Sequence, residues 1–165
     1  MAEFEYNVKT HMQRAYFTAL GFLGSHDSAM EMSQEAFIRA YRSYKKFDHT
    51  KKFFTWYYKI LRNLCFNFIR DNKKITDLSY IENREVDGKS ENPIEVVEKE
   101  ELHKNLEEAI SKLDFDEREI LILKEFEDHS YKEIAELLNI PIGTVMSRLY
   151  YARKKLAKIL EGMIT

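Results

Sequence analysis

Between Lys51 and Lys59 five aromatic residues, Phe53, Phe54, Trp56, Tyr57 and Tyr58, stand among three lysines. Rings interleaved with ammonium groups suit single-stranded nucleic acid, because every base offers a π-face and every nucleotide a phosphate. Further along, Thr144 and Ser147 put short hydroxyl donors just ahead of Arg148, and Arg153, Lys154, Lys155 and Lys158 follow. On a helix, short donors of this kind meet phosphates or bases, and the later cations clamp the backbone. Other chemistry finds little footing. Cys65 is the only cysteine, and the five histidines are scattered, so neither a disulfide nor a zinc cluster is expected. No Gly-rich phosphate loop or nucleophile elbow is present. The reading is therefore of a non-enzyme with no catalytic residue, metal or cofactor.

The elements that must carry these residues are helical. In a chain of 165 residues, Gly (5) and Pro (2) are too scarce for the frequent turns of an all-β fold. Apolar residues recur at helical steps over 4–23, with Tyr6, Val8, Met12, Ala15, Tyr16, Ala19 and Leu20 as the expected inner face, and Gly21 and Gly24 as stop signals. Ser25 or Asp27 caps a second helix to about Lys46, striped by Met30, Phe37, Ile38, Tyr41 and Tyr44. Phe47–Thr50 reads as a loop. A third helix runs from about Lys52 to Asn72; Trp56 and Ile60 share one face while Phe54 and Tyr58 lie off it, so some rings are expected to stay exposed for base stacking. Asn92 caps a helix with Pro93 at its first position, and Ile94, Val97, Leu102, Leu106, Ile110 and Leu113 are expected to face inward. Asp114 or Asp116 starts another helix, with Ile120, Leu121, Leu123 and Phe126 as its apolar residues. The fold class is all-α: two small helical domains, residues 1–74 and 93–165, joined by an acidic linker over 75–92.

Charge follows the same division. The net of −2 would argue against a nucleic-acid binder if it were evenly spread. It is not. Residues 1–74 carry thirteen Lys/Arg against seven Asp/Glu, residues 75–101 three against nine, residues 102–140 five against eleven, and residues 141–165 five against one. Two basic stretches are thus separated by an acidic one, the pattern of two polyanion-facing surfaces on a tether.

The most specific local signal is Ser130–Lys155. Ser130-Tyr-Lys-Glu133 has the form of a capping box. Ala135, Asn139 and Val145 have helix-turn-helix spacing: a small residue at the crossing, a residue tolerant of left-handed φ in the turn, and an apolar residue packing back. Val145 and Leu149 are expected to pack on Ile134 and Leu138, leaving Thr144, Ser147, Arg148, Tyr151 and Lys155 outward.

Two separate stretches resemble one family. Gln34-Glu-Ala-Phe-Ile-Arg-Ala-Tyr41, then Phe47-Asp48, Phe54-Thr-Trp-Tyr-Tyr-Lys-Ile60 and Arg62-Asn63, resemble conserved region two of extracytoplasmic-function sigma factors. Leu113, Glu117-Arg118, Ser130 through Arg148, and Ala152-Arg153-Lys154 resemble their region four. The resemblance implies a promoter-specificity subunit of bacterial RNA polymerase. It would put Glu31, Gln34 and Glu35 on the β′ clamp helices. It would put Tyr44, Lys46, His49, Lys51, Lys52, Phe54, Trp56, Asn63 and Arg70 at the melted −10 element, where one non-template base is flipped into a pocket. Thr144, Met146, Ser147, Arg148, Tyr151, Arg153 and Lys155 would meet the duplex −35 element, with the same domain on the β-flap. The acidic linker would follow the path of RNA within the enzyme. Anti-sigma factors are common partners in the family.

Glu31 stands where the family often has Asp, which keeps the charge. Met146 and Tyr151 stand where many members are basic; neither makes a bidentate guanine contact. Weakened −35 reading, or a helper protein that positions the chain on DNA, is the expectation drawn from those two positions. A helix-turn-helix regulator acting without polymerase, and an adaptor that binds other helices without DNA, are the competing classes. With no membrane-length apolar run and no signal-peptide pattern, a cytoplasmic location is expected.

Overall fold

The computed structural model describes residues 1–72 and 93–164, all helix and connecting turns, with no strand among them. The described residues form seven α-helices: α1 (Ala2–Leu23), α2 (His26–Ser43), α3 (Phe53–Asn72), α4 (Pro93–Ser111), α5 (Phe115–Leu121), α6 (Tyr131–Leu138) and α7 (Ile142–Ile164). A 3₁₀ turn, Tyr44–Lys46, follows α2, and a π-helical segment, Ile122–Phe126, continues α5. The linker assigned to 75–92 lies outside the described residues, as does Asn92.

The first three helices form the N-terminal lobe. Gly24 ends α1 at φ 70°, its N–H donating to Leu20 O at 2.8 Å; few side chains tolerate that backbone. Ser25 caps α2, accepting from Ser28 N–H at 3.4 Å. What α2 buries is Ala29, Ser33, Ala36 and Ala40. This corrects the sequence expectation, because Met30, Ile38 and Tyr41 of the anticipated apolar stripe are exposed. Small residues let neighbouring helices approach closely, so they are the ones covered. Tyr57 of α3 locks onto α2 by donating to Ser33 O at 3.0 Å and stacking on Phe37 at 4.3 Å. On α1, likewise, Ala15 and Ala19 are buried while Tyr6 and Met12 are exposed.

The C-terminal lobe builds on Ile120, Leu121, Ile122, Leu123, Ile134, Leu137, Val145, Leu149 and Ala152, all buried. Asn139 turns α6 into α7 at φ 53°, ψ 50°, as the helix-turn-helix spacing requires. The Ser130 box is half formed: Ser130 Oγ accepts from Glu133 N–H at 3.1 Å, but the Glu133 carboxylate is taken by His129 Nδ1 at 2.8 Å. On α4, Ile94, Val97 and Leu102 are exposed, which corrects their expected inward placement; Leu113, just beyond the helix, is buried.

The two lobes share one continuous core. Phe22 of α1 stacks on Phe115 of α5 at 4.9 Å, and Phe66 of α3 meets the same ring edge-on at 5.0 Å. Gly21 sits against Ile122, whose side-chain carbons would lie 3.2–3.3 Å from an added Cβ, so a glycine permits this approach. Polar groups are sealed into the same interface. Glu119, 2% exposed, accepts from Tyr58 Oη and Arg62 Nε, each at 2.6 Å. Thr18 donates to Glu127, and His129, also buried, bonds Glu127 through Nε2 at 2.9 Å with the Arg14 guanidinium against its ring.

Candidate nucleic-acid interface

Because α2 buries its alanines, its large side chains turn outward, and one of them, Tyr41, touches α1, edge-on to Phe4 at 5.3 Å. Met30, Ile38 and Tyr41 lie on this outer face with Glu31 and Gln34, and Glu35 holds Arg39 at 3.0 Å. Glu31, Gln34 and Glu35 therefore share a ridge of mixed acid and apolar character, suited to another protein rather than to a polyanion.

The segment 44–52 forms a ring-lined corner. Phe47 is buried, 4.9 Å from Trp56 and 5.8 Å from Tyr44. His49 packs edge-on against Tyr44 and bonds Glu3 at 3.3 Å. Asp48 Oδ1 accepts from Thr50 N–H (3.0 Å) and Thr50 Oγ1 (2.7 Å); these bonds hold its carboxyl below the usual range and fix the loop. Burial and the nearby Glu3 push the Tyr44 phenol up. Lys46, Lys51 and Lys52 are exposed around this corner. Asn63 and Arg70 are exposed further along α3, with Arg70 bonding Asp71 at 3.3 Å.

The aromatic run behaves differently from its sequence reading. Phe53, Phe54, Tyr57 and Tyr58 are all buried, and Trp56 is half-buried. Phe54, expected at the −10 strand, is 4% exposed and capped by the Arg14 guanidinium at 3.7 Å from its ring centroid. The reason is that α3 has two sets of neighbours. His11 and Arg14 of α1 cover Phe54, while Tyr58 enters the contact with the C-terminal lobe through Glu119. Burial raises the Tyr57 and Tyr58 phenols, and pushes the Cys65 thiol up to about 12, leaving it an inert core residue.

On the helix-turn-helix, Thr144 is half-buried and Met146, Ser147, Arg148 and Tyr151 are exposed on one length of α7. Arg153 and Lys155 are already partnered: Arg153 Nε bonds Glu125 at 2.6 Å, and Lys155 Nζ bonds Glu117 at 3.0 Å. Lys155 thereby ties α7 to the start of α5, where Glu117 also accepts from Asp114 N–H at 3.0 Å.

Between the lobes a cleft is lined by Lys59, Arg62, Asn63 and Glu119 on one side and Leu137, Leu138, Asn139 and Arg148 on the other. Asn63 and Arg148, expected at two different promoter elements, thus face a common space. Sequence reasoning missed Glu119, Arg14 and His129, because nothing in spacing distinguishes a buried acid or histidine between lobes from a solvated one. It also missed Tyr150, 59% exposed, whose signal was available: it lies one turn beyond Met146 on the same face. No group of metal-binding side chains occurs among the described residues, and none of their helices is long and apolar enough to cross a membrane.

Comparison with known proteins identifies both lobes. Residues 8–75 match the family model for sigma-70 region 2, and residues 103–156 match that for sigma-70 region 4. The chain is 33% identical to the ECF RNA polymerase sigma factor SigW of Bacillus subtilis, over 94% of this chain and 88% of the relative. It is 33% identical to the ECF RNA polymerase sigma-E factor of Escherichia coli K12, over 81% and 74%. The fold is shared with the sigma factor RpoE of Bartonella quintana, solved with the anti-sigma factor NepR (TM-score 0.70, 22% identity, 98% of each chain). It is also shared with CnrH in complex with the cytosolic domain of CnrY (TM-score 0.69, 23% identity, 96% and 88%). Two region matches in the right order, on two lobes built as region 2 and region 4 require, place the chain in the extracytoplasmic-function sigma factors of the sigma-70 family.

Proposed function

We propose that this alternative sigma factor divides its work by lobe: residues 1–74 hold the polymerase clamp and open the −10 element, residues 93–165 bind the −35 duplex and the β-flap, and residues 75–92 connect them. The observation that carries the reading is the division of faces on α2. A helix that buries alanines and leaves Met30, Ile38 and Tyr41 outward beside Glu31, Gln34 and Glu35 needs a protein to cover it. The clamp helices of β′ are that cover. The corner formed by Tyr44, Phe47, His49 and Trp56, ringed by Lys46, Lys51 and Lys52, takes an unstacked base, and Asn63 and Arg70 follow the strand. Phe54 packs under Arg14 and His11 of α1 rather than stacking on DNA. Thr144, Ser147 and Arg148 meet the duplex. The chain contributes specificity and melting, while bond formation belongs to the core enzyme. It acts in the cytoplasm, where its template is. An anti-sigma factor that holds the lobes is part of the proposal, supported by the folds it shares with RpoE and CnrH.

Run-off transcription with core polymerase and this factor, mapped by start site, tests the whole reading. Promoter-directed transcripts are expected; their absence with active core sinks it. Within that assay, Trp56→Ala and Asn63→Ala should depress open-complex formation more than polymerase binding. Equal loss of both would remove these residues from the melting machinery.

A further inference from the structure

The recognition helix carries an apolar stripe that its family role leaves without a task. Ile142, Met146 and Tyr150 are spaced at i, i+4 and i+8 on α7, and are 48%, 53% and 59% exposed. They lie one above the other on a single face. Met146 and Tyr150, with Leu149 and Tyr131 at the back, line an open groove whose far wall is Arg153 and Lys154. Lys154 Nζ stands 5.9 Å from the Tyr150 ring centroid, and Tyr151 packs edge-on against the other side at 5.3 Å. Tyr150 is thereby braced from two sides while its outer edge remains open. Ser147 is exposed beside the stripe, whereas Arg148 lies on the opposite side of α7, in the cleft between the lobes.

Neither methionine nor an aromatic ring reads guanine by paired hydrogen bonds. Both suit the one apolar group in the major groove, the thymine C5 methyl. The geometry fits that target. Side chains four residues apart on a helix are separated by about 6 Å along its axis, close to two base-pair steps of about 3.4 Å each. Charge favours the same occupant. The stripe is set in a segment with five Lys/Arg and one acid, so a polyanion is drawn to it, whereas an ordinary apolar protein surface gains nothing from those cations.

We infer that Met146 and Tyr150 are specificity-determining residues that read thymine methyl groups in the upstream duplex, two base-pair steps apart, while Lys154 holds a flanking phosphate. This rests on the reading of α7 as the −35 helix and deepens it: the element recognised is thymine-bearing rather than guanine-led.

The test uses the reconstituted holoenzyme and a promoter mapped by its own start site. Each upstream thymine is replaced in turn by deoxyuridine, which keeps every hydrogen-bonding edge and removes only the methyl. One or two positions should each lose roughly fourfold in occupancy and transcription, the worth of one buried methyl-sized group. Met146→Ala and Tyr150→Ala, both at exposed sites that leave the core intact, should each lose a similar factor on the thymine template and show no further loss when uracil replaces their own partner. Equal activity on all uracil templates overturns the inference while leaving the sigma-factor reading intact. Alanine variants that weaken thymine and uracil templates alike also overturn it, and assign the stripe to a protein partner. No transcription from the unmodified template overturns both readings together.

Discussion

Glu119 sits where water does not reach, held by one phenol and one guanidinium from the other lobe. Burial raises its carboxyl above the ordinary range, against the opposing pull of Tyr58 and Arg62. A group whose folded pKa is raised lends its full stability only below its unfolded pKa, and loses it as pH climbs through the folded value. Glu119→Gln should therefore match the parent near pH 4 and gain on it by pH 7, read as denaturant midpoints at both values. A parent that gains on the variant with rising pH would mean that attraction to Arg62 outweighs burial. Removing a partner is a different matter. Arg62→Ala strands the carboxylate, and a broken buried pair costs about 3–5 kcal/mol. Arg62 keeps 31% of its side chain exposed, so a loss near 3 kcal/mol, the low end, is expected. A loss below about 1 kcal/mol, the scale of a surface ion pair, would place Glu119 in contact with solvent.

At the scale of elements, the turn of the helix-turn-helix was legible because its demand is local. Asn139 adopts the left-handed backbone that its residue type tolerates. Asn139→Gly should be close to neutral. Asn139→Val, with a branched Cβ at φ 53°, should cost about 1–3 kcal/mol in unfolding free energy; equal stability of the two variants would show that the turn relaxes. The helices themselves were legible for the same reason, from periodicity and caps. Which face they bury was not. Periodicity assigned the large side chains of α2 to the interior, yet Ala29, Ala36 and Ala40 are what its neighbours cover. A hydrophobic stripe marks a surface that wants covering, and does not say whether this chain or another supplies the cover. The aromatic run of α3 failed in the opposite sense. Read against one core it left Phe54 and Tyr58 outside, but His11 and Arg14 of α1 cover Phe54 and Glu119 of the second lobe takes Tyr58. Of the candidate site, the exposed polar residues of α7 came from local spacing and the loop corner from the family resemblance, whereas Arg14 over Phe54 and Glu119 on Tyr58 join residues 40 and 61 positions apart.

At the scale of the molecule, the lobes close on each other, and Asn63 and Arg148 look into one cleft. On the proposed reading Asn63 and Arg148 meet different DNA segments, which requires the lobes to part at the promoter. Gly21 marks a close contact between the lobes, where an added side chain meets Ile122. Gly21→Leu drives a side chain into Ile122; small-angle scattering should show an expanded free protein, and DNA association without polymerase should rise. An unchanged radius of gyration would mean that the interface absorbs the added volume. The same sealed trio of Tyr58, Arg62 and Glu119 has a bearing on inheritance. Its donors and its acceptor are encoded in different halves of the gene, so neither half travels alone. A chimera that takes one lobe from a relative without the matching groups seals a charge away from its mate. Recombination between such factors is therefore restricted to exchanges that keep the trio whole or replace all three side chains with apolar ones of similar volume, an exchange that buried ion clusters tolerate well.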